Sequence, residues 1–215
     1  MNLSTGINDL DLIMEGGYKN PANILIVGPS APEKLALAYS FASTEPSLII
    51  CGNSGANEVI KKASDFGTDV SKCHFIDCYS ATINKSASSS GKITIVPSPS
   101  ALNDLSLAIN EILKTTSGKK LRIVFDTLST FALYNQKDSI RKFLSVVEGR
   151  FKNAQATVLY LVDEGVHDKQ LLSLLEHGMD EKLLISEKEG KTYLELPDLS
   201  IPLQIKSSRN GFEII

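Results

Sequence analysis

Short apolar runs alternate with amphipathic stretches along most of the chain. Asn23 to Val27 (NILIV) and Ser47 to Cys51 (SLIIC) read as strands with hardly a polar position, the pattern of strands covered on both faces. Cys73 to Asp77 (CHFID) and Lys92 to Val96 read as two more, and Leu121 to Asp126 (LRIVFD) and Thr157 to Val162 (TVLYLV) as buried strands. Helical spacing fills the intervals: about Pro32 to Ser43, Asn57 to Phe66, a face of Leu102, Leu105, Ile109, Ile112 and Leu113, and about Ser139 to Phe151. Strands alternating with helices imply crossover units and a mostly parallel sheet with helices on both faces.

After Glu181 the rhythm changes. Lys182 to Glu187 and Lys191 to Glu195 flank a Lys-Glu-Gly turn, with Ile201 to Lys206 and Phe212 to Ile215 close behind. That is hairpin spacing, and it predicts a C-terminal antiparallel β extension of the sheet. The serine-rich stretch Ser80 to Gly91 reads as a surface loop. With no internal repeat and no interdomain linker, residues 1–215 read as a single α/β domain.

Composition narrows the setting. Hydrophobic residues make up 42% and charged residues 22%, which is enough apolar material for one packed core. A formal net charge of -3 gives no general attraction to nucleic acid or to an anionic membrane. No apolar run approaches the ~20 residues that span a bilayer. Met1 to Ile13 mixes acids with apolar residues and does not read as a secretory leader. Cys51, Cys73 and Cys78 are an odd set without metal-type spacing, which favours a reducing, cytoplasmic compartment.

The segment with the most chemistry follows the first long strand. Gly28, Pro29, Ser30, Ala31, Pro32, Glu33, Lys34 and Leu35 lie where a phosphate-binding loop, G-x-x-x-x-G-K-[ST], would lie between strand and helix. In that loop backbone N–H groups wrap phosphates, the lysine offsets charge and the hydroxyl ligates Mg²⁺. Here only the first glycine and the lysine remain. Glu33 replaces the second glycine and brings an anion; two unit charges ~4 Å apart repel by roughly 4 kcal/mol at an effective dielectric of ~20. Pro32 lacks an N–H, and Leu35 has no oxygen for a metal. Glu33 is expected to occupy the positive helix N-terminus itself, leaving Lys34 to find a carboxylate partner or extend into solvent. The plainer reading is an ordinary strand–helix turn.

Other groupings are read as structural. Asp163, Glu164, His167 and Asp168 form a solvated acidic loop at a strand's carboxyl end, with a metal or general-base role as the sharper alternative. His74 and His177 read as structural, and Cys73 and Cys78 as buried small residues. The basic residues, Arg122, Arg141 and Arg150 among them, are scattered among acids and read as solvated. The cluster Lys206 to Arg209 is too short to support DNA binding.

Four segments in consistent order resemble the KaiC/RecA-like P-loop ATPases. Ser4 to Tyr18 (STGINDLDLIMEGGY) resembles their opening segment, and Glu58 to Gly67 (EVIKKASDFG) the helix after their second strand. Val124 to Tyr134 (VFDTLSTFALY) looks like their second acidic motif, and Leu161 to Asp168 (LVDEGVHD) like a strand-end loop of archaeal relatives. The resemblance implies a RecA-like sheet with catalytic acids just after the second strand. Asn53 and Ser54 hold those positions here, and neither can act as a base. Asp126 matches the acid that orients Mg²⁺ through water; its alternative reading is a hydrogen-bonded residue ending a buried strand.

The resemblance, with these departures, implies an inactivated, archaeal pseudo-ATPase branch that hydrolyses no ATP, because phosphoryl transfer depends on parts that are missing together. Gly28, Pro29, Ser30, Lys34 and Asp126 are then vestigial cofactor-binding residues, with no catalytic residue and no metal ligand. The function expected is a regulatory or scaffolding partner in signalling or assembly, bound to active KaiC/RecA-like relatives or to copies of itself. Two alternatives stay open: a switch that binds ATP or ADP weakly without efficient hydrolysis, and a DNA-handling RecA paralogue or slow ATPase.

Overall fold

The computed structural model describes residues 2–44, 46–116 and 118–215. In chain order the strands are β1 (Asn2–Leu3), β2 (Tyr18–Lys19), β3 (Ala22–Gly28), β4 (Ser47–Cys51), β5 (His74–Asp77), β6 (Ile93–Ile95), β7 (Arg122–Phe125), β8 (Thr157–Asp163), β9 (Glu181–Lys188), β10 (Lys191–Glu195), β11 (Leu203–Ser208) and β12 (Gly211–Ile214). The helices are α1 (Asn8–Ile13), α2 (Pro32–Ala42), α3 (Ala56–Asp65), α4 (Ser80–Ile83), α5 (Leu102–Thr115), α6 (Leu128–Tyr134), α7 (Lys137–Asn153) and α8 (Lys169–Glu176).

Ten strands form one sheet in the order β12-β11-β10-β9-β3-β8-β7-β4-β5-β6. From β9 to β6 every neighbouring pair is parallel, and β10, β11 and β12 continue the sheet antiparallel. The chain leaves β3, builds β4 to β6 outward, then returns to insert β7 and β8 between β3 and β4. The carboxyl ends of β3, β8, β7 and β4 therefore meet where the direction of winding changes, the place where open parallel sheets hold ligands.

The continuous apolar runs follow from burial on both faces. Successive side chains of a strand point to opposite sides: Ile24 and Ile26 enter the layer under α1, α2 and α3, while Leu25 and Val27 enter the layer under α5, α6, α7 and α8. In the second layer Phe125 stacks on Tyr160 with centroids 5.0 Å apart and meets Phe131 and Phe151 edge-on at 6.0 and 6.4 Å.

Three expectations need correction. β9 forms the expected antiparallel hairpin with β10 but pairs parallel with β3, so it closes the parallel part of the sheet and the antiparallel extension begins at β10. Its polar outward residues are those of a strand with one wetter face. Arg122, read as solvated, is 6% exposed on β7, with its guanidinium over the Phe41 ring at 5.5 Å. The serine-rich stretch opens with the short helix α4 rather than being loop throughout. No helix among the described residues is long and apolar enough to cross a membrane.

The opening segment folds onto itself. The Asp11 carboxylate accepts hydrogen bonds from Ser4 Oγ (2.5 Å), Thr5 N (2.6 Å) and Thr5 Oγ1 (2.7 Å). Gly6, at φ +83°, lies directly against the Ser40 carbonyl of α2. This motif is thereby accounted for as a clasp between the N-terminus and α2.

Candidate functional site at the carboxyl ends of β3, β8, β7 and β4

β3 is buried throughout and flanked on both edges by parallel strands, so its carboxyl end is fixed in the middle of the sheet. Register sets Gly28 opposite Asp163 of β8. A Cβ on Gly28 would stand 2.7 Å from both Cβ and O of Ile185 on β9, so glycine is required there by packing, whatever the loop binds.

The loop from Pro29 to Ala31 turns tightly into α2. Pro29 and Pro32 have no N–H, and the Ala31 and Lys34 N–H groups donate to the carbonyls of Pro29 (2.7 Å) and Ala31 (3.2 Å). Those donors are spent inside the turn. Pro32 at the first helical position suits its fixed φ and missing donor. Ser30 is exposed, and Leu35 packs against the apolar layer beneath α2.

Lys34 does not extend into solvent. It is 3% exposed, and its ammonium donates to Gly28 O (2.9 Å), Val162 O (3.0 Å) and Asp163 Oδ1 (2.7 Å). An ammonium has three donors, and all three are used. Burial lowers the Lys34 pKa, with Asp163 and then Glu164 pulling it partly back. The loop after β8 is pinned over the same place: Asp163 N–H donates to Ser129 Oγ (2.8 Å) and Glu164 N–H to Gly28 O (2.8 Å).

Glu33 was expected at the helix N-terminus. It does stand in the first turn of α2, but its carboxylate turns away to β11, accepting from Ser207 N (3.2 Å) and Ser207 Oγ (3.0 Å). Bonds to a strand N–H and a hydroxyl satisfy the buried carboxylate better than the helix end does, because Pro32 has removed a donor from that end.

Asp126 directly follows β7 and is buried, with Oδ1 accepting the Gly52 N–H at 2.9 Å. Burial pushes its pKa up to about 7, the Gly52 bond and Lys62 oppose this, and Asp77 and Asp163 add to it. Asp77 is itself saturated by Ala56 N, Tyr79 N, Ser80 N and Ser80 Oγ. Asn53 is exposed and Ser54 buried in the turn after β4.

Asp126 has a consequence for stability. An unfolded aspartate titrates near 3.9, so between that value and about 7 the folded state holds a proton that the unfolded state has lost. The stability this proton provides is complete below the unfolded value and falls by about 1.4 kcal/mol per pH unit as pH rises through the window. Asp126→Asn, which keeps an acceptor for Gly52, is expected to lack this slope. Denaturant midpoints of parent and variant across the window test it; parallel slopes would rule it out.

The acidic loop is solvated at Glu164 and Asp168, as its sequence suggests, and partly buried at Asp163 and His167. Asp163 holds Lys34, while Asp168 caps α8 through Leu171 N (2.8 Å) and pairs with Lys137 (2.6 Å). Burial lowers the His167 pKa, and its Nε2 is buried with no partner among the described residues. His74 opens β5, His177 ends α8, and Cys51, Cys73 and Cys78 are all buried and in no disulfide. Lys34, Asp163 and Gly28 are thus brought into contact, while Ser30 is exposed and Pro29 is half-buried in the turn. The Lys34–Asp163 pair and the Ser207 clasp had no sequence signal, since their partners are far apart in the chain.

Residues 7–194 match the model of a family of unknown function, DUF7090. The chain belongs to that family. The DUF7090 match takes in β3, the Gly28–Leu35 turn, Asp126 and Asp163, and ends within β10. The crystal structure of a KaiC-like protein from the hyperthermophilic archaeon Pyrococcus horikoshii OT3 is similar, at a TM-score of 0.77 and 17% identity, over 100% of this chain and 99% of that one. This DUF7090 chain therefore has a KaiC/RecA-like fold. Comparison with curated proteins gives no match.

Proposed function

We propose that this chain is a non-catalytic KaiC/RecA-like protein, a pseudo-ATPase that works through protein partners in signalling or assembly in an archaeal cytoplasm. The observation that carries the reading is Lys34. The side chain that would meet a phosphate is buried, with every donor committed to the strand ends and Asp163.

A Mg-nucleotide does not fit the surrounding residues. Two loop N–H groups are missing at Pro29 and Pro32, and those of Ala31 and Lys34 are spent within the turn. Leu35 offers an apolar side chain where a metal-binding hydroxyl would stand, and Asn53 and Ser54 supply no carboxylate to polarise water. Cys51, Cys73 and Cys78, an odd set of buried residues without metal-type spacing, favour a reducing compartment. The partners proposed are proteins, either active relatives of the same fold or further copies of the chain.

The test is calorimetry with Mg-ATP, a turnover assay on protein free of contaminating ATPase, and mass in solution with and without candidate partners. Negligible Mg-dependent hydrolysis is expected. A robust rate in the parent that vanishes in Lys34→Ala would overturn the reading.

A further inference from the structure

Resting on the non-catalytic reading, we propose that Asp163 is an internal substitute for a phosphate. Its carboxylate holds Lys34 against the strand ends, and removing it opens the site to polyphosphate anions. Register fixes Asp163 beside Gly28, and its Oδ1 lies 2.7 Å from Lys34 Nζ. The other two acceptors on that ammonium are neutral carbonyls, so Asp163 is the anion in direct contact with the buried cation. Glu33, the other acid of the turn, is withdrawn to Ser207 and leaves Lys34 to Asp163.

The two ends of the pair differ in exposure. The Lys34 side chain is 4% exposed and that of Asp163 is 27%, so the anionic half faces outward. An arriving phosphate would therefore meet the carboxylate before the ammonium and be repelled by it. A tethered group at contact distance also competes at an effective concentration that a diffusing anion at low concentration does not match. With the carboxylate gone, the buried ammonium has only neutral acceptors in contact and no anion nearer than Glu164, which acts on it through space alone, a state that favours capture of an anion.

Asp163→Asn preserves size and an acceptor oxygen while deleting the charge. Its binding of inorganic pyrophosphate, followed by calorimetry and by the rise in melting temperature, is expected to be at least about tenfold tighter than the parent's. The gain should vanish in Asp163→Asn combined with Lys34→Met. Asp163→Glu, which restores the charge, should bind no better than the parent. No gain in Asp163→Asn, or a gain that survives loss of Lys34, overturns the proposal. If Asp163→Asn is unfolded alone, millimolar pyrophosphate should restore its folding transition; if neither it nor Asp163→Ser folds with pyrophosphate present, the proposal is wrong. A parent that already binds pyrophosphate as tightly as the variant also overturns it, yet leaves the non-catalytic reading intact so long as Mg-ATP is not turned over.

Discussion

Gly6→Ala is expected to destabilise the fold by about 2–6 kcal/mol. Two penalties add at this position. A non-glycine residue held at a strained positive φ costs about 1–3 kcal/mol, and Gly6 sits at +83°. A methyl group there would also stand inside contact distance of the Ser40 carbonyl, which belongs to the backbone of α2 and cannot swing aside. Overpacking of this kind costs a further ~1–3 kcal/mol. Gly149, inside α7 with open space around it, provides the control. There the same change should be neutral or stabilising, by up to ~1 kcal/mol. Urea midpoints of the two variants give the comparison, and equal midpoints would remove the structural role assigned to the opening segment.

Lys34→Met should be the second large loss, at about 2–4 kcal/mol. Methionine fills much of the volume of the lysine stem but supplies no donor. Val162 O and Asp163 Oδ1 each lose the bond they now receive from the ammonium, whereas Gly28 O retains the Glu164 N–H. Asp163 is partly exposed, so water recovers some of the loss and the figure sits below that for a fully buried pair. A lysine projecting into solvent would cost less than about 0.5 kcal/mol on the same substitution. A chemical-denaturation midpoint that scarcely moves would thus show Lys34 to be free in solution, and the phosphate-substitute role of Asp163 would fall with it.

Much of the fold was legible because burial on both faces writes itself as uninterrupted apolar runs. NILIV, SLIIC and TVLYLV give the strands within a residue or two. The helix Leu128–Tyr134 was not, because the Leu128, Ser129, Phe131 and Ala132 positions are all buried and leave no polar face to set a period. α8 carried a usable signal, Asp168 as an N-cap before Leu171 and Leu175, obscured by reading the preceding acids as one solvated loop. The turn at Gly28 could be placed from sequence, as could its departures from the phosphate-loop pattern. Where Glu33 and Lys34 point could not. Glu33 ends on Ser207, 174 positions away, and Lys34 on Asp163, 129 away. Local charge rules aimed Glu33 at its own helix, and a long-range partner took it instead.

The position of β3 has a consequence for how the chain is made. Its two neighbours are β8, with Ala22 opposite Thr157, and β9, with Ile24 opposite Glu181. At the ~5–20 residues per second of protein synthesis, β3 waits on the order of ten seconds for its first partner. During that interval an apolar strand with two open edges emerges from the ribosome and has nothing to pair with. Long-range parallel pairing of this kind is also intrinsically slow once it begins. The sheet therefore cannot close around β3 until most of the protein has been translated.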